Sequence, residues 1–210
     1  WVALRDAYSG SAAVKGKLDY RYGGDRVRYA GTAYLPIPTG MNAEQYAAYR
    51  DRARWLGAPE HAGHGLTGAA FRRDPVVTVP AALEPELADV TQTGVPLRAF
   101  AEQAVQETLL MGRYGMLLDF PPPVLHPDGT LLPLPASRPY WIGYRAEEIL
   151  NWRTMQRGGG TILTLVGLRE SVPIVQGVWP SDDFFRVGEQ TQYRVLRPDD
   201  QGHYEVSPWV

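Results

Sequence analysis

Glycine and proline interrupt this chain so often that only short helices and strands fit between them. Its 210 residues include 22 glycines and 18 prolines, well above the share of an ordinary globular chain. Proline removes a backbone donor and breaks helices, and glycine costs a helix interior about 1 kcal/mol relative to alanine. We therefore expect many turns and short elements. No internal repeat is apparent, which disfavours a solenoid or a propeller.

The first part of the chain, residues 1–80, has mainly helical patterns. Residues 1–14 carry apolar side chains at helical spacing, with a stop near Gly10. Residues 20–40 combine glycines, prolines and tyrosines without a period, which predicts an extended loop. Residues 76–79 lie between two prolines and predict one short strand at a sheet edge. This part is therefore a helical front with a single strand.

Asn42 provides the clearest helix start in this front part. Gln45 follows it by three residues, the spacing of a capping box, in which each side chain bonds to the backbone of the other residue. The pattern predicts a helix over residues 43–56. Pro59 then predicts a fresh start, with helix resuming to about Ala70.

The back part, residues 96–206, begins with the most regular helical pattern in the sequence. Apolar residues recur at i, i+3, i+4 and i+7 over residues 96–111, and Gly112 supplies a stop. Residues 114–120 predict a buried strand, and a proline-rich loop follows to Pro139. Further strands are predicted over residues 140–144, 152–156, 161–169, 193–197 and 203–206. The order predicts an α+β fold, with N-terminal helices followed by a mainly antiparallel sheet.

Charge and cysteine content exclude several kinds of site. The 21 basic and 23 acidic residues give a net charge of −2, so the chain has no general attraction to nucleic-acid phosphates. The lack of cysteine excludes disulfides, thiolate metal sites and a cysteine nucleophile. No lysine follows the glycine pattern of a P-loop. The three glycines at residues 158–160 lie between predicted strands and indicate a hairpin turn.

Histidine and aspartate pairs are the remaining candidates for metal binding or catalysis. His61 and His64, with Glu60 beside them, could present two imidazoles on one helical face. A metal site needs a third ligand with second-shell support, and Pro59 and the nearby glycines disfavour a regular helix here, so we interpret them as ordinary histidines. Two acidic pairs could bind Mg²⁺, although such pairs in turns are usually solvated: Asp182 with Asp183, and Asp199 with Asp200. No Gly-x-Ser-x-Gly motif is present. By motif alone, the sequence supports no enzyme, no cofactor and no metal site.

Aromatic residues and arginines alternate in the back part of the chain. Such a pattern can stack the bases of a single strand, and it comprises Trp141, Tyr144 and Trp152 with Arg138, Arg145 and Arg153. The net charge of −2 argues against a strong electrostatic groove. Packing in the core or at an interface is therefore the simpler interpretation.

Several segments, taken in order along the chain, resemble one known family. The most specific are LTGAAFRRDP at residues 66–75, GRYGMLLDF at residues 112–120 and ILNWR at residues 149–153. They stand between an opening WVALRDAYSG and a final EQTQYRVLRPDDQGHYEV. Together, over about residues 1–206, these segments resemble the N-terminal, wing-region half of a tailed-bacteriophage portal protein, the head-to-tail connector found in phages and prophages.

The resemblance implies a structural subunit without catalytic activity. Portals of this family form a homo-oligomeric ring, commonly a dodecamer, at one capsid vertex of the virion. The ring surrounds the channel through which the terminase motor packages double-stranded DNA without sequence specificity, and DNA leaves through it on ejection. The ring also joins capsid proteins to tail or adaptor proteins. It is assembled in the host bacterial cytoplasm without a membrane. The clip, stem and crown segments of such portals are expected to be absent from this chain.

Four residues within the family-like motifs are candidates for a subunit interface. They are Arg72, Arg73, Arg113 and Tyr114, which lie at the ends of predicted elements. In a closed ring each subunit uses one surface to meet a different surface of its neighbour, and arginine and aromatic residues are enriched at such contacts. Ordinary capping and packing within the subunit is the alternative role.

Two other function classes stay open at this point. One is a prophage-encoded, metal-dependent hydrolase or nuclease that uses the aspartate pair at residues 182–183 and a histidine. The other is a binding module whose aromatic and arginine surface takes nucleic acid or a capsid protein.

Overall fold

The computed structural model divides into two units, each built from helices and antiparallel strands. Residues 1–60 and 147–210 form one, the terminal unit, and residues 61–146 form the other, the central unit. Every strand pairing in the described residues is antiparallel, which confirms the predicted α+β class. The described residues are 1–16, 20–22, 25–27, 34–120, 124–125, 131–132, 138–175, 187–199 and 204–209.

The helices of the terminal unit begin and end at residues with clear local signals. They are α1 (Val2–Tyr8), α2 (Ser11–Val14) and α3 (Ala43–Arg52). The predicted capping box is confirmed: Asn42 Oδ1 accepts from the backbone N–H of Gln45 at 2.9 Å, and Gln45 Oε1 accepts from that of Asn42 at 3.0 Å. Helix α3 ends four residues before the predicted end, because Ala53 adopts an extended ψ of 139°.

A hairpin occupies the beginning of the segment predicted to be an extended loop. Strand β1 (Tyr20–Tyr22) pairs antiparallel with β2 (Asp25–Val27), so the prediction for residues 20–40 is wrong there. Tyrosine and valine favour strands, and two glycines between such runs are a hairpin signal. Each run is too short to show a period of its own.

Four strands form the main sheet of the terminal unit, in the order β10–β9–β8–β7. The strand predictions are confirmed here, and the strands extend further than predicted: β7 (Ile149–Arg157), β8 (Gly160–Val175), β9 (Val187–Pro198) and β10 (Tyr204–Trp209). Gly158 and Gly159 have φ of 58° and 84°, which side chains disfavour. They form the two-residue turn between β7 and β8, and this confirms the predicted hairpin.

The central unit packs one long helix beside a two-stranded sheet. Its helices are α4 (Ala58–Ala70), which begins in the terminal unit, and α5 (Leu97–Met111). Strand β3 (Tyr114–Asp119) pairs with β6 (Tyr140–Arg145). The short strands β4 (Val124–Leu125) and β5 (Leu131–Leu132) pair with each other. The fresh helix start near Pro59 is confirmed. Gly112 takes the left-handed conformation at φ 83° and its N–H donates to Thr108, which confirms the predicted stop of α5.

The strand predicted over residues 76–79 is not formed. Residues 74–80 have no regular secondary structure, and Val76 is 96% exposed. A 3₁₀ segment, Ala81–Ala88, follows directly. Pro75 and Pro80 cannot donate to a ladder, and no neighbouring strand is available to residues 76–79 within the described part of the chain.

Each unit buries a small apolar core. The buried hydrophobic residues are Ala13, Val14, Leu168 and Leu196 in the terminal unit, and Val90, Phe100, Met111, Tyr144 and Ala146 in the central unit. No helix in the described ranges combines the length and the apolar character needed to cross a bilayer.

Candidate interaction surfaces

An aromatic cluster fixes the junction between α5 and the β3–β6 sheet. Phe100 meets Tyr114 edge-on with ring centroids 6.2 Å apart, and meets Trp141 edge-on at 5.5 Å. Tyr114 also lies across Gly143, where an added Cβ would come within 1.8 Å of the tyrosine oxygen. Such edge-to-face pairs contribute about 0.5–1.5 kcal/mol beyond the area that they bury. Tyr114 is therefore held inside the central unit.

Arg113 likewise makes a contact within its own unit. Its Nε and Nη2 both donate to the carbonyl oxygen of Ala146, at 3.2 and 2.7 Å. Arg113 and Tyr114 thus have the capping and packing roles that the sequence left as the alternative. Whether either also meets a neighbouring subunit stays a prediction.

Arg72 and Arg73 lie in a different setting, directly after the end of α4. Both residues are exposed, and neither side chain makes a hydrogen bond or ion pair with any residue that the structure describes. The neighbouring Asp74 is instead paired with Arg98 of α5, which also donates to the carbonyl of Phe71 at 3.3 Å. The two exposed guanidinium groups therefore remain available to a partner.

Strand β3 presents an apolar stripe that the sequence analysis placed in the core. Met116, Leu118 and Phe120 alternate along the chain and are 61%, 57% and 59% exposed, so the prediction of a buried strand is wrong for these side chains. Among the described residues β3 pairs only with β6. Its second edge carries no strand there, which leaves an open edge beside exposed apolar side chains.

The β7–β8 hairpin presents a second apolar surface, in the terminal unit. Every residue from 150 to 157 is exposed. Trp152 pairs with Val166 and Met155 pairs with Ile162, a spacing of three along β7 and of four along β8. The register shift between Arg153 and Thr154 therefore leaves the extra residue in β8, and the alternation of side chains along β7 is kept. Trp152 and Met155 lie on opposite faces of the hairpin, and both are about half exposed.

The described residues proposed for metal binding or base stacking lie in different settings within the two units. His61 and His64 are exposed on α4, and no group of three metal-ligating side chains occurs in the part of the chain that was described. Asp182, Asp183 and Asp200 lie outside the described residues. Tyr144 is buried, and Arg138 is paired with Glu86 and Asp89. Trp141, Tyr144 and Arg138 are thus used in packing and pairing within the central unit, whereas Trp152 and Arg153 are exposed on β7.

A buried carboxylate in α1 is a feature that sequence reasoning missed. Asp6 is fully buried; Tyr34 donates a hydrogen bond to its Oδ2, while none of the described residues bonds to its Oδ1. Burial raises the pKa of Asp6, and the bond from Tyr34 partly opposes this rise. Its neighbour Arg5 pairs with Glu147 through two contacts of 2.6 and 3.1 Å.

We expect Asp6→Asn to stabilise the protein at neutral pH by about 1–2 kcal/mol, because it removes a charge that is buried with an unpaired oxygen. The pKa of Asp6 is higher in the folded protein than in the unfolded chain. Its protonated carboxyl therefore stabilises the fold below the unfolded pKa, and this contribution is lost as the pH rises through the folded pKa. Urea unfolding of wild type and variant from pH 4 to 8 should therefore show curves that approach each other at low pH. A variant that is less stable than wild type at pH 7 would contradict this account.

More large hydrophobic side chains are exposed than are buried in the two cores. Nineteen large hydrophobic side chains are exposed and nine hydrophobic residues are buried among the residues described. Single exposed apolar residues are ordinary, but a contiguous stripe such as that on β3 is typical of surfaces that meet a partner. The chain matches no protein-family model and no curated protein. Its function must therefore be inferred from its own residues and surfaces.

Proposed function

We propose that this chain is the wing-like region of a subunit in a tailed-phage portal ring, with a structural and not a catalytic role. The observation that carries the proposal is the exposed apolar stripe on β3 in the central unit, together with the exposed apolar side chains of the β7–β8 hairpin in the terminal unit. A subunit of a closed ring needs two different surfaces of this kind, because each subunit meets its neighbours heterologously.

The sequence resemblance supplies the rest of the proposal. The stretches that resemble portal proteins include β3 itself, in residues 112–120, and the start of β7, in residues 149–153. The ring would be a dodecamer at the portal vertex of the virion. There it would let the terminase motor drive DNA inward and would connect the capsid to tail or adaptor proteins.

The test is whether the chain assembles, and whether the β3 stripe drives the assembly. We expect ring-shaped particles by electron microscopy and a large oligomer by light scattering at micromolar concentration. Met116→Ser with Leu118→Ser should weaken association at least tenfold, or about 1.4 kcal/mol, because it removes apolar contacts at the edge of β3.

A matched control distinguishes this surface from general hydrophobicity. Leu56→Ser with Val76→Ser removes two apolar side chains that are more exposed than those of the stripe, 86% and 96%, and it should leave assembly unchanged. A wild-type chain that stays strictly monomeric, with no rings by microscopy, would contradict the proposal. Equal losses in the two double variants would remove the β3 stripe as the contact.

A further inference from the structure

A cationic cleft of about 590 Å³ lies in the terminal unit, where α3 ends near α2. Its lining includes Lys15, Arg52, Arg54 and the indole of Trp55. We infer that this cleft binds a nucleotide unit, either free or within a strand, with the phosphate on the cations and the base on the indole. The site concerns ligand binding and goes beyond the assembly role proposed above.

The charge at the cleft favours an anion. Three cations line it against one carboxylate, that of Asp51. The C-terminus of α3 adds about half a negative charge, which leaves a net positive charge of about one and a half. Basic residues near a helix end can serve only to offset the helix dipole, but three cations exceed what that dipole requires.

The donors needed for a phosphate are not used up inside the protein. Lys15 Nζ donates to the carbonyl oxygen of Asp51 at 3.0 Å, which holds the ammonium at the helix end and leaves two of its N–H groups. Arg52 and Arg54 are exposed and make no hydrogen bond or ion pair to other residues in the described ranges. A guanidinium fork without a partner suits the oxygens of a phosphate.

Trp55 gives the cleft an aromatic wall of fixed position. Its Nε1–H donates to the carbonyl oxygen of Ala7 at 3.1 Å, so the polar edge of the indole is satisfied while the side chain remains partly exposed. A base stacked on such a ring contributes about 1–3 kcal/mol. The cleft volume falls within the roughly 300–1,000 Å³ of small-molecule sites, which is more than a phosphate alone would fill.

An acidic peptide is the competing ligand, and the geometry disfavours it. A carboxylate offers two acceptor oxygens, as does a phosphodiester within a strand, whereas the terminal phosphate of a free nucleotide offers three to the three cations of the cleft. A peptide carboxylate also brings no planar ring to the indole. Because the chain has a net charge of −2, we expect the nucleotide to bind at this cleft and not along a general basic surface.

The experiment measures binding of four probes by the full chain: dAMP by calorimetry, and a fluorescein-labelled single strand, the matching duplex and a labelled glutamate-rich peptide by anisotropy. Arg52→Gln with Arg54→Gln should weaken dAMP and single-strand binding at least tenfold, and Trp55→Leu should weaken both several-fold. With about two phosphate contacts, single-strand affinity should fall about sevenfold between 50 and 200 mM salt. Binding of dAMP as tight as that of the strand would identify a free nucleotide as the ligand, and tighter strand binding would identify a nucleic acid.

The control is Arg157→Gln with Arg197→Gln, which removes the same charge from exposed positions of β7 and β9 in the same unit. It should change binding less than twofold. Circular dichroism of each variant establishes that it is folded. The inference is overturned if no probe binds to the wild type at 50 mM salt, if both double variants lose binding equally, or if a glutamate-rich peptide binds more tightly than dAMP and the strand.

Discussion

Replacing Glu147 by alanine is expected to lower the free energy of unfolding by about 3–5 kcal/mol. Glu147 holds Arg5 through two contacts, Nε to Oε1 at 2.6 Å and Nη2 to Oε2 at 3.1 Å. The side chains are only 11% and 8% exposed, so water replaces the lost carboxylate poorly. The variant leaves a largely buried guanidinium without the Glu147 carboxylate, and this cost exceeds that of losing a pair on the surface.

Urea unfolding followed by circular dichroism measures the effect. Glu189→Ala is the control in the same unit, since its carboxylate accepts from Ser171 in an exposed position; it should change the free energy by less than about 1 kcal/mol. Arg5→Met with Glu147→Met should recover most of the loss, because a well-packed apolar pair can replace a buried ion pair. A midpoint shift for Glu147→Ala no larger than that for the control would show that the pair contributes little.

The elements that the sequence predicted well depend on signals within a few residues of each other. The capping box of Asn42 and Gln45, the left-handed Gly112 and the turn at Gly158 and Gly159 all have this property. Each meets a requirement of the local backbone, which no distant contact needs to supply. These elements are sufficient to place the helices and most strands, and hence the α+β class.

The errors concern features that depend on distant partners. Residues 76–79 have strand-forming side chains, but a strand requires a neighbour with free donors and acceptors, and the described chain gives them none. The side chains of β3 alternate between exposed and half-buried, although the apolar run suggested burial on both faces. Burial is set by what packs against a strand, and local sequence does not contain this information.

The candidate sites differ in how far the sequence could have revealed them. Arg113 contacts Ala146, 33 residues away, and no spacing rule could anticipate that bond. The cationic cleft joins Lys15 to the end of α3 across 36 residues. One signal was present, however, since Arg52, Arg54 and Trp55 fall within four residues of sequence. Basic residues beside an aromatic are the composition of a single-strand site, so this local cluster carried the information needed to predict the cleft.

The second large effect is expected at Gly143, which is opposite Met116 in the β3–β6 ladder. A methyl group there would come within 1.8 Å of the Tyr114 oxygen and 2.7 Å of its Cζ, so the ring must leave its place against Phe100. Gly143→Ala should therefore cost about 1–3 kcal/mol, the usual cost of overpacking. In a Tyr114→Ala background the clash is absent, and the same substitution should cost less than about 0.5 kcal/mol.

The two changes should then show a coupling energy of about 1 kcal/mol or more in a double-mutant cycle. Additive costs in urea unfolding would mean that Tyr114 does not require a glycine beneath it, and the packing described for β6 would have to be revised.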